Sequence, residues 1–322
     1  MGPRPNSIQN SASGNNAHFE PQGAYTSLSQ LQQLRYLAKP LSQLGNFAKP
    51  QSQAGNHRSQ SLSRGMEFEE VRVYQPGDDV RSIDWRVTAR TQLTHTKRYR
   101  DEKEKPVITL VDQRSTLFFG SQQCFKSVYA CYLAALINWS TLKRGDRAGG
   151  MVIGTRGIDE ARASKSHQAI NRWLQLLVDC NRQLSSETHH PEPKLVSALE
   201  QLFHTVRKGA EIVMITDGYD LDADAQAWLF RLRRHNQVSL YCLFDPLEKK
   251  FPNLGEIAIS DGRQKTSLTV DKSSATAYQQ LFTQRRQLLV DLSQKVGIQL
   301  TEVDITQSLT DALLKKQPLQ PT

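Results

Sequence analysis

Nucleotide chemistry shows itself in glycine-rich loops, and residues 120–127, GSQQCFKS, come within one residue of the phosphate-cradling pattern G-x-x-x-x-G-K-[ST]. The stretch follows a predicted strand and opens a predicted helix, which is the context that such a loop needs. The position before Lys126 decides against it. Glycine there lets backbone N–H groups close on phosphate oxygens, and Phe125 would fill that space. His189 and His190 sit beside Pro191 and Pro193 in a polar stretch without a third ligand at metal-binding spacing, which reads as a solvated loop. No G-x-S-x-G elbow, H-E-x-x-H helix or G-x-G-x-x-G turn occurs. Cys124, Cys131, Cys180 and Cys242 form no C-x-x-C pair and no metal spacing, so they are expected to be buried free thiols.

The densest chemistry lies in residues 65–97, GMEFEEVRVYQPGDDVRSIDWRVTARTQLTHTK. Pro76 and Gly77 make a turn after Tyr74, and Asp78 or Asp79 can cap the residues that follow. Arg81 and Arg90 offer guanidinium forks to Asp78, Asp79 or Asp84. Trp85 is expected to be buried, anchoring the block on a neighbouring sheet domain. Two readings stand side by side: an ion-pair and turn module with no ligand, or a partner-docking surface in which Arg and Trp are the energetic anchors.

The elements that must position these residues follow from hydrophobic periodicity. Strands are expected at 66–74 and 94–100, flanking the turn. Beyond them come strands at 107–111, 146–153, 211–216, 238–244 and 298–303 and helices at 123–142, 168–178, 193–205, 223–234, 275–294 and 309–315, with a hairpin at 256–260 and 267–270. This alternation predicts an α/β fold: a mainly parallel sheet with helices on both faces and ligand sites at the carboxyl ends of its strands. The expected division is a tail over 1–62, the signature block over 63–105 and the sheet domain over 106–318.

The first 61 residues are rich in Gln, Ser and Asn, a composition that buries too little apolar surface to offset the entropy of ordering. They are expected to be disordered and dispensable for folding. One patch departs from this: Leu28, Leu31, Leu34 and Leu37 recur at three-residue spacing and suit a short amphipathic helix that docks on a folded neighbour. A tandem decapeptide, LAKPLSQLGN then FAKPQSQAGN, fills 37–56 and reads as a local duplication.

The chain of 322 residues carries a net charge of +9, and within 1–62 Arg4, Arg35, Lys39, Lys49 and Arg58 face only Glu20. No run of Lys or Arg interleaves with aromatics, so the tail supports nonspecific attraction to polyanions and not specific nucleic-acid recognition. The longest apolar run, 129–137, falls far short of the roughly 20 residues of a membrane helix. The start lacks a basic stretch followed by an apolar one, so no secretory signal is read and a cytoplasmic protein is expected.

Residues Tyr74-Gln75-Pro76-Gly77-Asp78-Asp79-Val80-Arg81-Ser82-Ile83-Asp84-Trp85, with Ala89 and Arg90, closely resemble the signature of the domain-of-unknown-function 58 family. The resemblance continues through Phe118, Phe119 and Gly120, through Phe125, Lys126 and Ser127, and through Gly145, Asp146 and Arg147, covering about 55–245. It implies a von Willebrand factor A-like domain in bacterial proteins commonly paired with MoxR-type AAA+ ATPases. Such domains usually carry D-x-S-x-S after the first strand and a later Asp, whose oxygens hold a divalent cation. The corresponding residues here are Asp112-Gln113-Arg114-Ser115-Thr116 and Thr216-Asp217-Gly218. Asp112, Thr116 and Asp217 match, whereas Arg114 replaces the first Ser, so the site is degenerate. Asp112 and Asp217 are expected to pair with Arg114 without Mg²⁺ or another cofactor.

The resulting expectation is a non-enzymatic adaptor or scaffold that works with a MoxR-type AAA+ ATPase on a client protein that the sequence does not name. Two alternatives stand beside it: a metal-dependent hydrolase using Asp112 and Asp217, with Asp220 as a third carboxylate, and nonspecific nucleic-acid binding through the basic tail.

Overall fold

A computed structural model describes residues 19–38, 66–101, 105–185, 191–250, 255–260, 265–270 and 272–314. The chain divides into a small unit, residues 49–104, and a large one that combines residues 1–48 with 105–322. His189, His190 and residues 39–56 of the decapeptide pair lie outside the described residues.

After helix α1 (Leu28–Gln33), the chain enters the small unit, an antiparallel ribbon of β1 (Met66–Val73) and β2 (His95–Asp101) with Val73 opposite His95 and Met66 opposite Asp101. Its connection holds a 3₁₀ turn, Val80–Ser82, and the helix α2 (Trp85–Thr91). Asp79 and Asp84 precede these two elements, and each accepts hydrogen bonds from the backbone N–H groups that a helix start leaves unpaired. Gln92 closes α2 at φ 58, in the left-handed region that ends helices.

The large unit is built from β3 (Pro106–Asp112), α3 (Lys126–Lys143), β4 (Arg147–Ile153), β5 (Ile158–Ser164), α4 (His167–Gln183), α5 (Leu195–Thr205), β6 (Glu211–Thr216), α6 (Ala223–Arg233), β7 (Gln237–Phe244), the single turn α7 (Pro246–Lys249), the hairpin β8 (Gly255–Ser260) and β9 (Lys265–Val270), α8 (Lys272–Val296), β10 (Gln299–Asp304) and α9 (Leu309–Leu314). Six strands form one sheet in the order β10-β7-β6-β3-β4-β5. All neighbours are parallel except β4 and β5. Strands β3, β6 and β7 are largely apolar runs, broken in β3 by Thr109 and in β7 by Ser239, because helices cover both faces. The apolar stretch at 129–137 is the middle of α3, which is buried all round between the sheet, α4 and α1. Helices α5, α6 and α8 close the opposite face around Leu199, Leu229 and Leu292. Among the described residues, no helix is long and apolar enough to cross a membrane.

Strand β5 is absent from the expectations drawn from sequence. IDEARAS has few apolar residues because it is a half-exposed edge strand, antiparallel to β4. The strand can approach because β4 offers Gly149, where an added Cβ would lie 2.6 Å from the Ala161 carbonyl oxygen.

Residues 19–38 hold the short docking helix expected around 28–37, and their burial bears against the expectation that the first 60 or so residues are dispensable for folding. Ser27 and Gln30 form a capping box that starts α1, and Leu31, Leu34 and Ala38 are fully buried in the core. The indole N–H of Trp139 donates to the Leu31 carbonyl at 3.0 Å, and Asn181 Oδ1 accepts from the Thr26 N–H at 2.9 Å. Gly23 ties the segment to the loop before α3: its N–H donates to Gln123 O at 2.8 Å, and its carbonyl accepts from the Phe125 N–H at 3.0 Å. A polar average over 61 residues hides a twenty-residue segment with a stripe of its own.

All four cysteines are free and buried. Burial pushes the thiols of Cys124, Cys180 and Cys242 up to about 12 from 9.0. At pH 8 the native protein is therefore expected to resist an aromatic disulfide reagent, and four thiols should react once denaturant is added. Between pH 9 and 12 the unfolded chain releases thiol protons that the folded chain keeps, so stability should fall as pH rises through that window. Rapid labelling of the native protein would show that the core is open to solvent.

Candidate functional site at the sheet edge and the signature ribbon

The strand order reverses between β3 and β6, the position at which open α/β sheets gather functional groups at their carboxyl ends. Asp112, the last residue of β3, and Asp217, just past β6, meet that description. Both are buried. Arg114 grips Asp112 with a two-pronged fork, Nε to Oδ1 at 2.9 Å and Nη2 to Oδ2 at 2.7 Å, and its backbone N–H adds a third bond to Oδ1 at 3.1 Å. The Thr216 hydroxyl donates to Asp112 Oδ2 at 2.8 Å. The remaining Arg114 nitrogen, Nη1, pairs with Asp220 and reaches the Pro193 carbonyl at 3.4 Å. Burial disfavours the guanidinium charge, but Asp112 and Asp220 outweigh it and hold Arg114 above its ordinary value.

Asp217 does not pair with Arg114 as expected. Its partner is Lys126, the first residue of α3, whose Nζ lies 3.2 Å from Asp217 Oδ2 and 2.8 Å from Glu248 Oε1. Lys126 is only 1% exposed and lies about 6 Å from the ring centroids of Phe119 and Tyr219. Burial would lower its pKa, yet the two carboxylates raise it above 10.5, so the ammonium stays charged. Glu248 is aimed by the capping box of α7: its Oε2 accepts from the Asp245 N–H at 2.9 Å while Asp245 caps Leu247, with Pro246 at the first helical position. Asp245 itself takes the Ser121 N–H at 2.7 Å.

Thr116 does not join this cluster. It is exposed on the 3₁₀ turn Ser115–Leu117, where Glu192 takes the Ser115 N–H at 2.9 Å and hydroxyl at 3.0 Å. Among the described residues, no group of three or more His, Cys, Asp or Glu side chains is arranged to hold a metal ion. A cavity of about 340 Å³ opens at α8, lined by Tyr219, Glu248, Tyr278, Phe282, Arg285 and Leu288. Neither Asp112 nor Asp217 lines it.

In the signature ribbon Asp79 caps the residues after it, as expected, whereas Asp78 and Asp84 pair with cations other than Arg81 and Arg90. Asp78 Oδ1 takes Arg72 Nη2 at 2.7 Å and its Oδ2 takes the Gln75 N–H at 2.9 Å, closing the turn in which Gly77 adopts φ +104. Asp79 caps Arg81 N–H at 2.9 Å, and the Tyr74 N–H donates to Thr94 O at 2.8 Å. Asp84 accepts from the Arg86 and Val87 N–H groups and lies 3.5 Å from Lys97 Nζ. The Val87 N–H, chiefly, holds the Asp84 carboxyl below its ordinary value. Arg81 and Arg90 are exposed and, like Arg86, have no ion pair among the described residues.

Trp85 is the clearest correction: it is 68% exposed, not buried. Helix α2 turns Val87 and Thr88 inward, with Thr88 Oγ1 accepting the His95 N–H at 3.0 Å, so that residues 85, 86, 89 and 90 share the outer face. A two-stranded ribbon with one short helix has no interior large enough for an indole. Val80 and Leu93 are also exposed beside it in sequence.

The uncharacterized proteins Mb1516 of Mycobacterium bovis and Rv1480 of Mycobacterium tuberculosis are each 28% identical to this chain over 204 residues, 61% of either length. The chain thus spans about three fifths of the curated relatives it matches. Among solved structures, BatB from Bacteroides thetaiotaomicron is similar at 12% identity and TM-score 0.42, over 66% of this chain and 95% of that one. The SpRpn10 VWA domain is similar at 10% identity and TM-score 0.34, with the same coverage of each chain. The large unit is an α/β fold, a mainly parallel six-stranded sheet between two helical layers. The model of the family described as protein of unknown function DUF58 matches residues 70–288, from the signature ribbon into α8, and the chain belongs to that family.

Proposed function

We propose that this protein is a non-enzymatic adaptor that docks a protein partner through its signature ribbon, and that the partner is an AAA+ ATPase of MoxR type acting on a client protein. The exposed Trp85 carries the reading. An indole held in water, with Arg81, Arg86 and Arg90 near it in sequence and without an ion pair among the described residues, has the composition of an interface hot spot. The Asp84 cap fixes the helix that bears it, which lowers the ordering cost of binding. The ATPase follows from the family resemblance alone. Against a hydrolase, Asp112 and Asp217 are each engaged by a cation, and the 340 Å³ cavity is lined by neither.

Affinity purification of the tagged chain from its native host, with Trp85→Ala in parallel, tests both parts. Wild type should retain an AAA+ ATPase. Trp85→Ala should weaken binding by about 2 kcal/mol or more, roughly thirtyfold in Kd, with an unchanged melting temperature. No ATPase with wild type would remove that partner. A melting temperature several degrees lower in Trp85→Ala would make the indole structural.

A further inference from the structure

We infer that Lys126 and Arg114 are the resident cations of the sheet edge, standing where a von Willebrand A-like domain would hold a divalent metal, so that this edge is metal-independent. The residues do not fit the metal. Both oxygens of Asp112 accept from the Arg114 fork, and Oδ2 also accepts from the Thr216 hydroxyl. Asp217 Oδ2 faces the Lys126 ammonium, which Glu248 holds from the other side. A divalent ion placed to use both aspartates would meet two positive charges. At about 4 Å, each would repel it with twice the unit-charge energy.

Neither cation has an easy way out. Arg114 is tied by Asp112, Asp220 and the Pro193 carbonyl, and both it and Lys126 are buried. Expelling either would leave carboxylates without a counter-charge, and Thr116, the third matching ligand type, is exposed and away from the cluster. A hard cation that wants six oxygens finds both aspartates engaged by cations and the Thr116 hydroxyl exposed. The two ends of a single connection thus supply the charge that a metal would bring: Arg114 just after β3, and Lys126 at the start of α3. The inference does not depend on the adaptor reading, since it concerns only what occupies the edge.

Mn²⁺ titration of the full chain, followed by the paramagnetic resonance of free Mn²⁺, and thermal melts with and without Mn²⁺ test it. Wild type should show no saturable site tighter than about 1 mM and no shift in melting temperature. Lys126→Met, alone and with Arg114→Ser, should gain affinity by at least about tenfold and melt higher with Mn²⁺, and Asp217→Asn in the same background should remove both gains. A micromolar site in wild type that Asp217→Asn abolishes would overturn the inference. So would a folded double variant that gains no site. If neither variant folds even with Mn²⁺, the wild-type titration with its Asp217→Asn control decides alone.

Discussion

A chain lacking residues 1–38 is expected to be unfolded, or to melt far below the full-length protein. Leu31 and Leu34 are fully buried, and truncating either to alanine should cost about 2–5 kcal/mol, against a total stability on the order of 5–15 kcal/mol. Deleting the segment removes both at once, leaves the Trp139 indole N–H without the Leu31 carbonyl, and opens one side of the buried α3 to water. Urea unfolding of Leu31→Ala, Leu34→Ala and the truncated chain provides the measurement, with the exposed Gln33→Ala as a control that should change nothing. A truncated chain as stable as the intact one would mean that the docked segment contributes contact without stability.

Lys126→Met is the other large effect. The ammonium lies between Asp217 and Glu248 with almost no exposure, and replacing it leaves two buried carboxylates facing an apolar side chain. The expected cost is about 3–5 kcal/mol. Most of that is the penalty of stranded charge and not the worth of the pair, so neutralising the partners with Asp217→Asn and Glu248→Gln in the same chain should recover part of it. The Lys126 pKa is raised above 10.5, so its contribution is fully present at neutral pH and is lost only as pH rises through the folded value. A cost below about 1 kcal/mol would show that water reaches the site and screens it.

The sheet was legible because its strands advertise themselves. IVMIT in β6 and LYCLF in β7 are apolar without interruption, as strands covered on both faces must be. The edge strand β5 has no such signal, since half of its residues face water. Asp112 and Asp217 were legible as a pair through family resemblance, but their partners were not. Lys126 and Glu248 lie 122 residues apart, and only the folded sheet brings α3 and α7 to the same edge. A local clue to Glu248 did exist in the Asp245-Pro246-Leu247-Glu248 capping box. Trp85 was misplaced for a different reason: a tryptophan in a turn-rich motif reads as an anchor until the number of layers around it is known. The same holds for Arg81 and Arg90, whose expected carboxylates had closer partners in Arg72 and Lys97.

The clamp at Gly23 also sets how the molecule responds to tension. Both backbone groups of Gly23 are spent on residues 123 and 125, immediately before the first turn of α3 and its lysine. A pull on the chain upstream of residue 19 therefore loads those two hydrogen bonds before it reaches any strand. The force arrives beside the end of α3 that carries Lys126.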